Sequence, residues 1–417
     1  MREIARTAGT PTFVYSRATL EGHFDRLQTA FAPIDALLCY SVKSCANLSV
    51  LRTLAARGAG MDVVSVGELQ RALEAGIPAD KCVYAGVGKR DDEIIAALEA
   101  GIGLLNVESE AEFENIARIA NQLRTSVRCA LRINPDVDPK THRYTSTGKK
   151  ETKFGVDLER ARRFFQQWGH HEYAKLEGLH LHIGSPIYTV DPYVEALKKT
   201  CTLIEDLTSD GIEIRSIDLG GGFGADYESD QSPSAMDYAD AILPLALPLK
   251  SRGIKFFLEP GRSIAANAGV LLLSVLYTKQ SGEKRFAICD AGMNALLRPS
   301  HYGSFHFVWP VRPADALVPP TRSSALSMQG LVAQDIVGPL CESGDFLALD
   351  RALPPLARGD LLAVFTAGAY GMSMASRYNS SPLPAEVLVS GERVALIRER
   401  ETVEDLLAHE RHVTALL

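Results

Sequence analysis

Between about residue 30 and residue 265 the chain alternates short apolar runs with longer amphipathic stretches. The runs fall at 36–42, 60–65, 82–86, 104–107, 126–134, 176–183, 214–219 and 255–259. Their length and apolar content predict strands. Between most of them apolar positions recur at helical spacing, as over 66–75 and 91–100. Those two stretches each close on a glycine, Gly76 or Gly101, that suits a helix C-cap. Eight strands joined by seven helical crossovers within about 230 residues predict a (β/α)8 barrel. The rival is a doubly wound sheet, but no strand, Gly-x-Gly-x-x-Gly, helix unit with an acidic partner is found.

The pattern changes after about residue 270. Runs at 270–277, 285–288, 361–367 and 386–389 are β-rich and separated by Pro and Gly, and helical periodicity is scarce until 403–409. This predicts a mostly β second domain. The short run 12–15 reads as a lone strand that pairs with it. The expected division is therefore a barrel over 25–268 and a β-rich domain over 1–24 and 269–417. The Pro- and Ala-rich stretch 310–322 reads as an exposed loop.

Composition narrows the function. A chain of 417 residues that is 46% hydrophobic and 23% charged has ample material for a core. A net charge of -7 offers no ground for nucleic acid or an anionic membrane as partner. No apolar run reaches the length of a membrane span, and residues 1–9 lack a signal-type apolar core, so a cytoplasmic location is expected. Seven cysteines, an odd number without zinc-type spacing, predict reduced thiols and no metal site.

In a barrel, chemistry gathers at the C-terminal ends of the strands, and the unusual residues of this chain fall there. Lys43 ends the first run, Asp62 lies in the second, and Arg132 and Asn134 end the fifth. His180 and His182 end the sixth, Gly220-Gly221-Gly222 the seventh and Glu259-Pro260-Gly261-Arg262 the eighth. Each has two readings. Lys43 is a snorkelling strand-end lysine, or an amine that condenses with an aldehyde. The glycines make a tight turn, or they bring backbone N–H groups to a phosphate, with Ser185 adding a hydroxyl. His180 reads as a core histidine; His182, nearer the strand end, suits stacking on a planar ring. Glu259 pairs with Arg262, or it faces a pyridine nitrogen and keeps it protonated. Taken together, the functional readings suit pyridoxal 5′-phosphate.

At this point the sequence resembles the fold-type III pyridoxal-phosphate decarboxylases, and among them the branch acting on diaminopimelate. The resemblance spans about residues 10 to 395. Its motifs are Tyr40-Ser41-Val42-Lys43, the stretch from Asp62 to Leu69, Thr147-Gly148 and Lys153-Phe154-Gly155. They continue with Gly178 to Ser185, the triple glycine, and Glu259 to Arg262. In the β domain they are Asp290 to Asn294, Arg298 to Tyr302, Cys341 to Asp345, and Gly368-Ala369-Tyr370. The resemblance implies a barrel of the alanine racemase type, a pyridoxal-phosphate cofactor and a homodimer. It also implies that Lys43 and Cys341 are catalytic. Cofactor contacts would come from Lys43, Asp62, Arg132, His182, Ser185, Gly221, Gly222, Glu259, Gly261, Arg262 and Tyr370. Substrate contacts would come from Arg262, Arg298, Tyr302, Glu342 and Tyr370, with Cys341 and Glu342 entering the partner subunit's site. Glu342 and Asp345 are expected to raise the Cys341 thiol pKa, which suits a proton donor.

Charge then selects a substrate. Arg262, Arg298 and Tyr302 suit a distal carboxylate and Glu342 a distal ammonium. Meso-2,6-diaminopimelate carries both, and its decarboxylation gives L-lysine. The alternatives are decarboxylation of ornithine, arginine, lysine or carboxynorspermidine, an amino-acid racemase, or a non-catalytic relative that only binds the cofactor. Three segments depart from the family pattern: Pro186-Ile187-Tyr188 where Gln usually follows Ser185, Ser381 where Arg is common, and Ser44-Cys45-Ala46-Asn47.

Overall fold

A computed structural model describes residues 1–139, 153–311, 317–411 and 413. The Thr147-Gly148 motif and residues 312–316 of the proline-rich stretch lie outside the described residues. The chain divides into two units, one of residues 20–225 and 232–264, the other of residues 1–19, 226–231 and 265–417.

The first strand, β1 (Thr12–Ser16), belongs to the second unit. The first unit is built on β2 (Leu37–Ser41), β3 (Gly60–Val63), β4 (Cys82–Tyr84), β5 (Leu104–Val107) and β6 (Val127–Asn134). After the two-residue β7 (Val156–Asp157) come β8 (Ala174–Leu181), β9 (Ser216–Asp218) and β10 (Lys255–Leu258). All pairings are parallel, and they run β2–β3–β4–β5–β6–β8–β9–β10 and back to β2. The sheet is thus a closed barrel of eight strands, as expected, with β7 an appendage on β6.

Two of the helices between the strands, Val66–Glu74 and Glu110–Leu123, begin on serine side-chain caps. Ser65 Oγ accepts from Glu68 N, and Ser109 Oγ from Glu112 N. The helix Asp91–Ala100 ends on Gly101 at φ +76, the left-handed conformation the sequence pattern called for. Inside the barrel, Cys39, Val83, Leu104, Ala130 and Phe257 form one apolar cluster from β2, β4, β5, β6 and β10. Above this layer the interior turns polar, and the site lies there.

The second unit is a β sheet. It adds β11 (Gly269–Ser281), β12 (Lys284–Cys289), β13 (Val308–Pro310), β14 (Val332–Val337), β15 (Phe346–Leu353), β16 (Leu361–Val364), β17 (Ala385–Ser390) and β18 (Arg393–Arg398). Their order is β15-β14-β12-β11-β1-β17-β18, with β16 on β11 and β13 on β16. β1 lies antiparallel to β11 and parallel to β17, so the lone N-terminal strand joins this sheet as expected.

The runs behind β11, β12, β16 and β17 are legible in the sequence, whereas β13, β14, β15 and β18 are not. In β14 the alternation is broken by buried Gln334 and Asp335. Gln334 donates to Pro354 O at 2.9 Å, and Asp335 accepts from Asp350 N at 2.7 Å. β18 is an edge strand with Val394 and Leu396 more than half exposed, so its pattern carries no buried face. Residues 226–231 join this unit through hydrogen bonds from Asn267 Nδ2 and Thr366 Oγ1 to Asp226 O, at 2.6 and 3.2 Å.

Gly103 shows how tightly the barrel wall is drawn. A β-carbon there would overlap Asp80 O and lie 2.9 Å from Cys82 O, both fixed backbone atoms. Gly103→Ala is expected to lower unfolding free energy by about 1–3 kcal/mol, read from urea denaturation. An unchanged midpoint would show that the wall yields at no cost.

Candidate active site

β2 ends at Ser41, and the single 3-10 turn Val42–Ser44 carries Lys43 just past the rim of the barrel. Lys43 Nζ donates to Asp62 Oδ2 at 2.6 Å, and Ser41 Oγ donates to the same oxygen at 2.5 Å. The lysine side chain is 36% exposed and its partner is fully buried. Lys89, after β4, makes the contrast. Its ammonium is buried and donates to Gly86 O, Asn106 O and Glu112 Oε1 at 2.8, 2.7 and 2.6 Å. Lys89 is a structural pin, whereas Lys43 remains open to a small molecule.

A group of buried polar residues stands around Glu259, which follows β10. Asn106 Nδ2, from β5, donates to Asp218 Oδ2 at 3.1 Å and to Glu259 Oε1 at 3.2 Å. Asp218, from β9, also accepts from Gly220 N at 2.9 Å. His180 Nε2 lies 3.4 Å from Glu259 Oε2. Burial, then the charge of Asp62, pushes the Glu259 carboxyl up; burial, then Glu259 itself, pushes Asp218 well above the usual range. Burial pulls His180 down to about 4, so its ring is neutral. His180, Asp218 and Glu259 bring potential metal-ligand atoms within 4.8 Å of one another. An amide donor from Asn106 already bridges the two carboxyls, so the arrangement is a hydrogen-bonded carboxyl pair.

His182, one residue past β8, is partly buried, and its pKa is lowered by desolvation first and then by the charge of Arg132. Its Nδ1 accepts from Gly221 N at 3.2 Å, so the ring proton resides on Nε2. Arg132 donates to Glu108 Oε1 at 2.7 Å and to the His182 carbonyl at 3.3 Å. Glu108 in turn accepts from Gly155 N at 2.8 Å, and Phe154 lies under the Arg132 guanidinium at 4.5 Å. The Lys153-Phe154-Gly155 motif is thus the lid on a buried ion pair.

Gly220, at φ +68, and Gly222, at φ +102, adopt conformations that favour glycine. A β-carbon on Gly221 would overlap Glu259 O, and one on Gly222 would lie 2.8 Å from Tyr193 Oη. Gly261 comes equally close to the end of β2, with its would-be β-carbon 2.8 Å from Ser41 Cβ. Arg262 Nε donates to Ser185 Oγ at 3.1 Å, which joins the sixth and eighth strand ends.

In the β unit, Arg298 is 6% exposed and is surrounded by the rings of Tyr227, Tyr302 and Tyr370 at 5.2, 5.5 and 5.8 Å. Its Nη2 donates to Ser304 Oγ at 3.2 Å. Tyr370 holds a left-handed backbone, φ +56, costly for a bulky residue. Cys341 and Glu342 are exposed, and the Tyr378 phenol, hydrogen-bonded to Glu342, titrates above its ordinary value. The buried carboxylate of Asp345 accepts from Met293 N and Leu340 N, both at 2.7 Å, and ties the two loops together.

Comparison with known proteins accounts for this assembly. Residues 17–266 match the pyridoxal-binding domain of the pyridoxal-dependent decarboxylases. The chain is 46% identical over 410 residues to diaminopimelate decarboxylase of Pseudomonas aeruginosa, covering 98% of this chain and 95% of that one. It is 44% identical to the Aquifex aeolicus enzyme of the same name, covering 97% and 92%. The crystal structure of Helicobacter pylori diaminopimelate decarboxylase complexed with L-lysine matches at TM-score 0.90 and 40% identity, covering 98% of each chain. The chain belongs to the diaminopimelate decarboxylase family.

The cofactor of this family is pyridoxal 5′-phosphate, and the barrel fits it. It offers an accessible amine on Lys43, glycines that no β-carbon could replace, a neutral imidazole at His182, and a buried acid at Glu259. Asn106, Glu108, Asp218 and Tyr227 complete the two clusters and were not singled out from sequence. The first three are polar residues inside or next to apolar runs, as in Leu104-Leu105-Asn106-Val107, and that interruption was the available signal.

His180 gives a pH test. Its folded value of about 4 lies below the ordinary 6.5. Keeping the folded ring neutral therefore costs nothing above about pH 6.5, and stability is lost as pH falls from there toward 4, about 3 kcal/mol in all. The urea midpoint of His180→Gln should fall less steeply over that interval than that of the wild type. Equal slopes would show that the ring is not buried in neutral form.

Proposed function

We propose that the protein decarboxylates meso-2,6-diaminopimelate to L-lysine and carbon dioxide with pyridoxal 5′-phosphate. The observation that carries this is the Lys43 amine, open to small molecules yet 2.6 Å from buried Asp62, beside the protonatable Glu259 cluster. The cofactor, when bound, supplies an aldehyde for amines and a pyridine ring that withdraws electrons from the substrate's α-carbon.

Lys43 is the amine that would hold the cofactor's aldehyde. Asp62 keeps the amine of Lys43 oriented. Glu259 holds a proton at the ring nitrogen, with Asn106 and Asp218 fixing its carboxyl. His182 would pack on the ring face, and Arg132 holds the His182 backbone. Ser185, Gly222, Gly261, Arg262 and Tyr370 would receive the phosphate, with Gly221 fixing the loop beside it through the bond from its N–H to His182 Nδ1. Arg298, with Tyr302 and Tyr370, takes the distal carboxylate, for which a buried guanidinium among aromatic rings is suited. Glu342 takes the distal ammonium, and Cys341 Sγ returns a proton to the α-carbon once carbon dioxide has left.

Cys341 and Glu342 serve the site of a second copy of this chain, so the working unit is a homodimer. Their exposure on the surface of the protomer supports this reading. A cytoplasmic enzyme is the corresponding location; among the described residues no helix is long and apolar enough to cross a membrane.

Carbon dioxide release decides the assignment. Wild-type protein with cofactor should turn over meso-diaminopimelate far faster than ornithine, arginine or lysine; the reverse preference would overturn it. Lys43→Ala should lower that release by roughly a thousandfold or more. Arg298→Leu should raise KM for meso-diaminopimelate roughly ten- to hundredfold, with kcat much less affected. An unchanged KM would remove Arg298 from carboxylate binding.

A further inference from the structure

The segment that departs from the family pattern, Pro186 to Tyr188, lies along the glycine loop. Ile187 bridges Phe223 in parallel register, and Ile187 N donates to Gly222 O at 2.9 Å. Two phenols complete the attachment. Tyr193 Oη donates to Gly221 O at 2.9 Å. Tyr238 Oη donates to Ile187 O at 2.6 Å and accepts from Gly224 N at 3.1 Å. On the other side, Glu259 N donates to Gly220 O at 2.8 Å. Each carbonyl of the triple glycine therefore has a donor.

The phenols are held by their own packing. Tyr193 stacks on Phe223, with centroids 5.3 Å apart and planes 12° apart. Tyr238 meets both rings edge-on, at 5.7 and 5.0 Å. All three are buried, and so is Ile187.

In a planar trans peptide the C=O of one residue and the N–H of the next point in opposite directions. Holding Gly221 O on Tyr193 therefore turns Gly222 N–H the opposite way, and holding Gly222 O on Ile187 does the same for Phe223 N–H. Glycine peptides rotate more freely than any others. A loop of three would otherwise present carbonyl oxygens as readily as amides, and an oxygen repels a phosphate.

We propose that Tyr193 and Tyr238 are positioning residues for the cofactor's phosphate, bracing the Gly220–Gly222 carbonyls and the Ile187 strap so that the loop's amides face the anion. Neither phenol has to touch the cofactor. This rests on the reading that the glycine loop holds the phosphate. It also gives the Pro186–Tyr188 departure a role, since the strap supplies backbone groups rather than a polar side chain.

The test compares two ligands, pyridoxal 5′-phosphate and pyridoxal, binding to full-length apoprotein. Both carry the aldehyde and ring, and only one carries phosphate. Tyr193→Phe and Tyr238→Phe each keep the ring and remove the hydroxyl. Each should weaken pyridoxal 5′-phosphate about three- to tenfold, the worth of one lost hydrogen bond, and leave pyridoxal within twofold. Equal losses for both ligands, or no loss for either, would overturn the brace. If the wild type itself does not discriminate between the ligands, the phosphate reading of the glycine loop fails instead. Should Tyr193→Phe not fold, as judged by its urea transition, Tyr238→Phe decides alone.

Discussion

The structure depends on how a barrel interior accommodates charge. An ionisable group taken out of water must be paired, hydrogen-bonded or neutral. Asp62, Glu108, Arg132, His180, Asp218 and Glu259 are all no more than 6% exposed. The two nearby cations are each at hydrogen-bond distance from one carboxylate, Lys43 from Asp62 and Arg132 from Glu108. Asp218 and Glu259 are left to each other, with the neutral Asn106 and His180 as neighbours. A pair of buried carboxyls in that position retains a proton, because two adjacent negative charges in a dry interior are too costly. The upward displacement of both groups expresses this. A proton is thus held in the barrel by the electrostatics of the strands themselves, where the proposed function needs one for a pyridine nitrogen.

That constraint also explains what was readable from the amino-acid sequence. The eight barrel runs were legible because parallel strands buried on both faces are nearly uniform in polarity. Lys43, Glu259 and the glycines were legible because they stand at the ends of those runs, where apolar patterning stops. Asn106 and Asp218 sit inside or against the same runs, and a single polar residue there has the same appearance whether it is a buried network or an interruption. Their partners come from other strands, Asn106 meeting Asp218 and Glu259 across the barrel interior, and no local pattern reports such a distance in sequence. The β unit was less legible for the opposite reason. β18 buries little, and β14 buries Gln334 and Asp335, so neither shows clean alternation. Tyr227 was missed because it lies in a short loop of the barrel half of the sequence that packs with the β unit.

The two lysines at strand ends show why position alone does not define a reactive group. Lys89 has three acceptors and almost no exposure, so its amine has nothing further to offer. Lys43 has a strong partner in Asp62 and a side chain one-third exposed. Asp62 is itself tied to Ser41, on the strand that carries Lys43. The amine is therefore oriented from its own strand and its neighbour while its outer face stays open, a combination that a purely structural ion pair does not need.

The glycine loop joins the two halves of this chemistry. Its first peptide places Gly220 O on Glu259 N, and the next N–H, that of Gly221, reaches His182 Nδ1. Because these groups belong to one planar peptide, the orientation that anchors the loop to the eighth strand also sets the tautomer of His182. A loop that rotated to expose its carbonyls would release His182 at the same time. The position of the proposed anion site, the tautomer of His182 and the placement of Glu259 are consequently one structural variable, set by backbone geometry that glycine supplies here. Side chains on neighbouring helices can then stabilise that variable without entering the site, and Tyr193 and Tyr238 stand where such side chains would have to be.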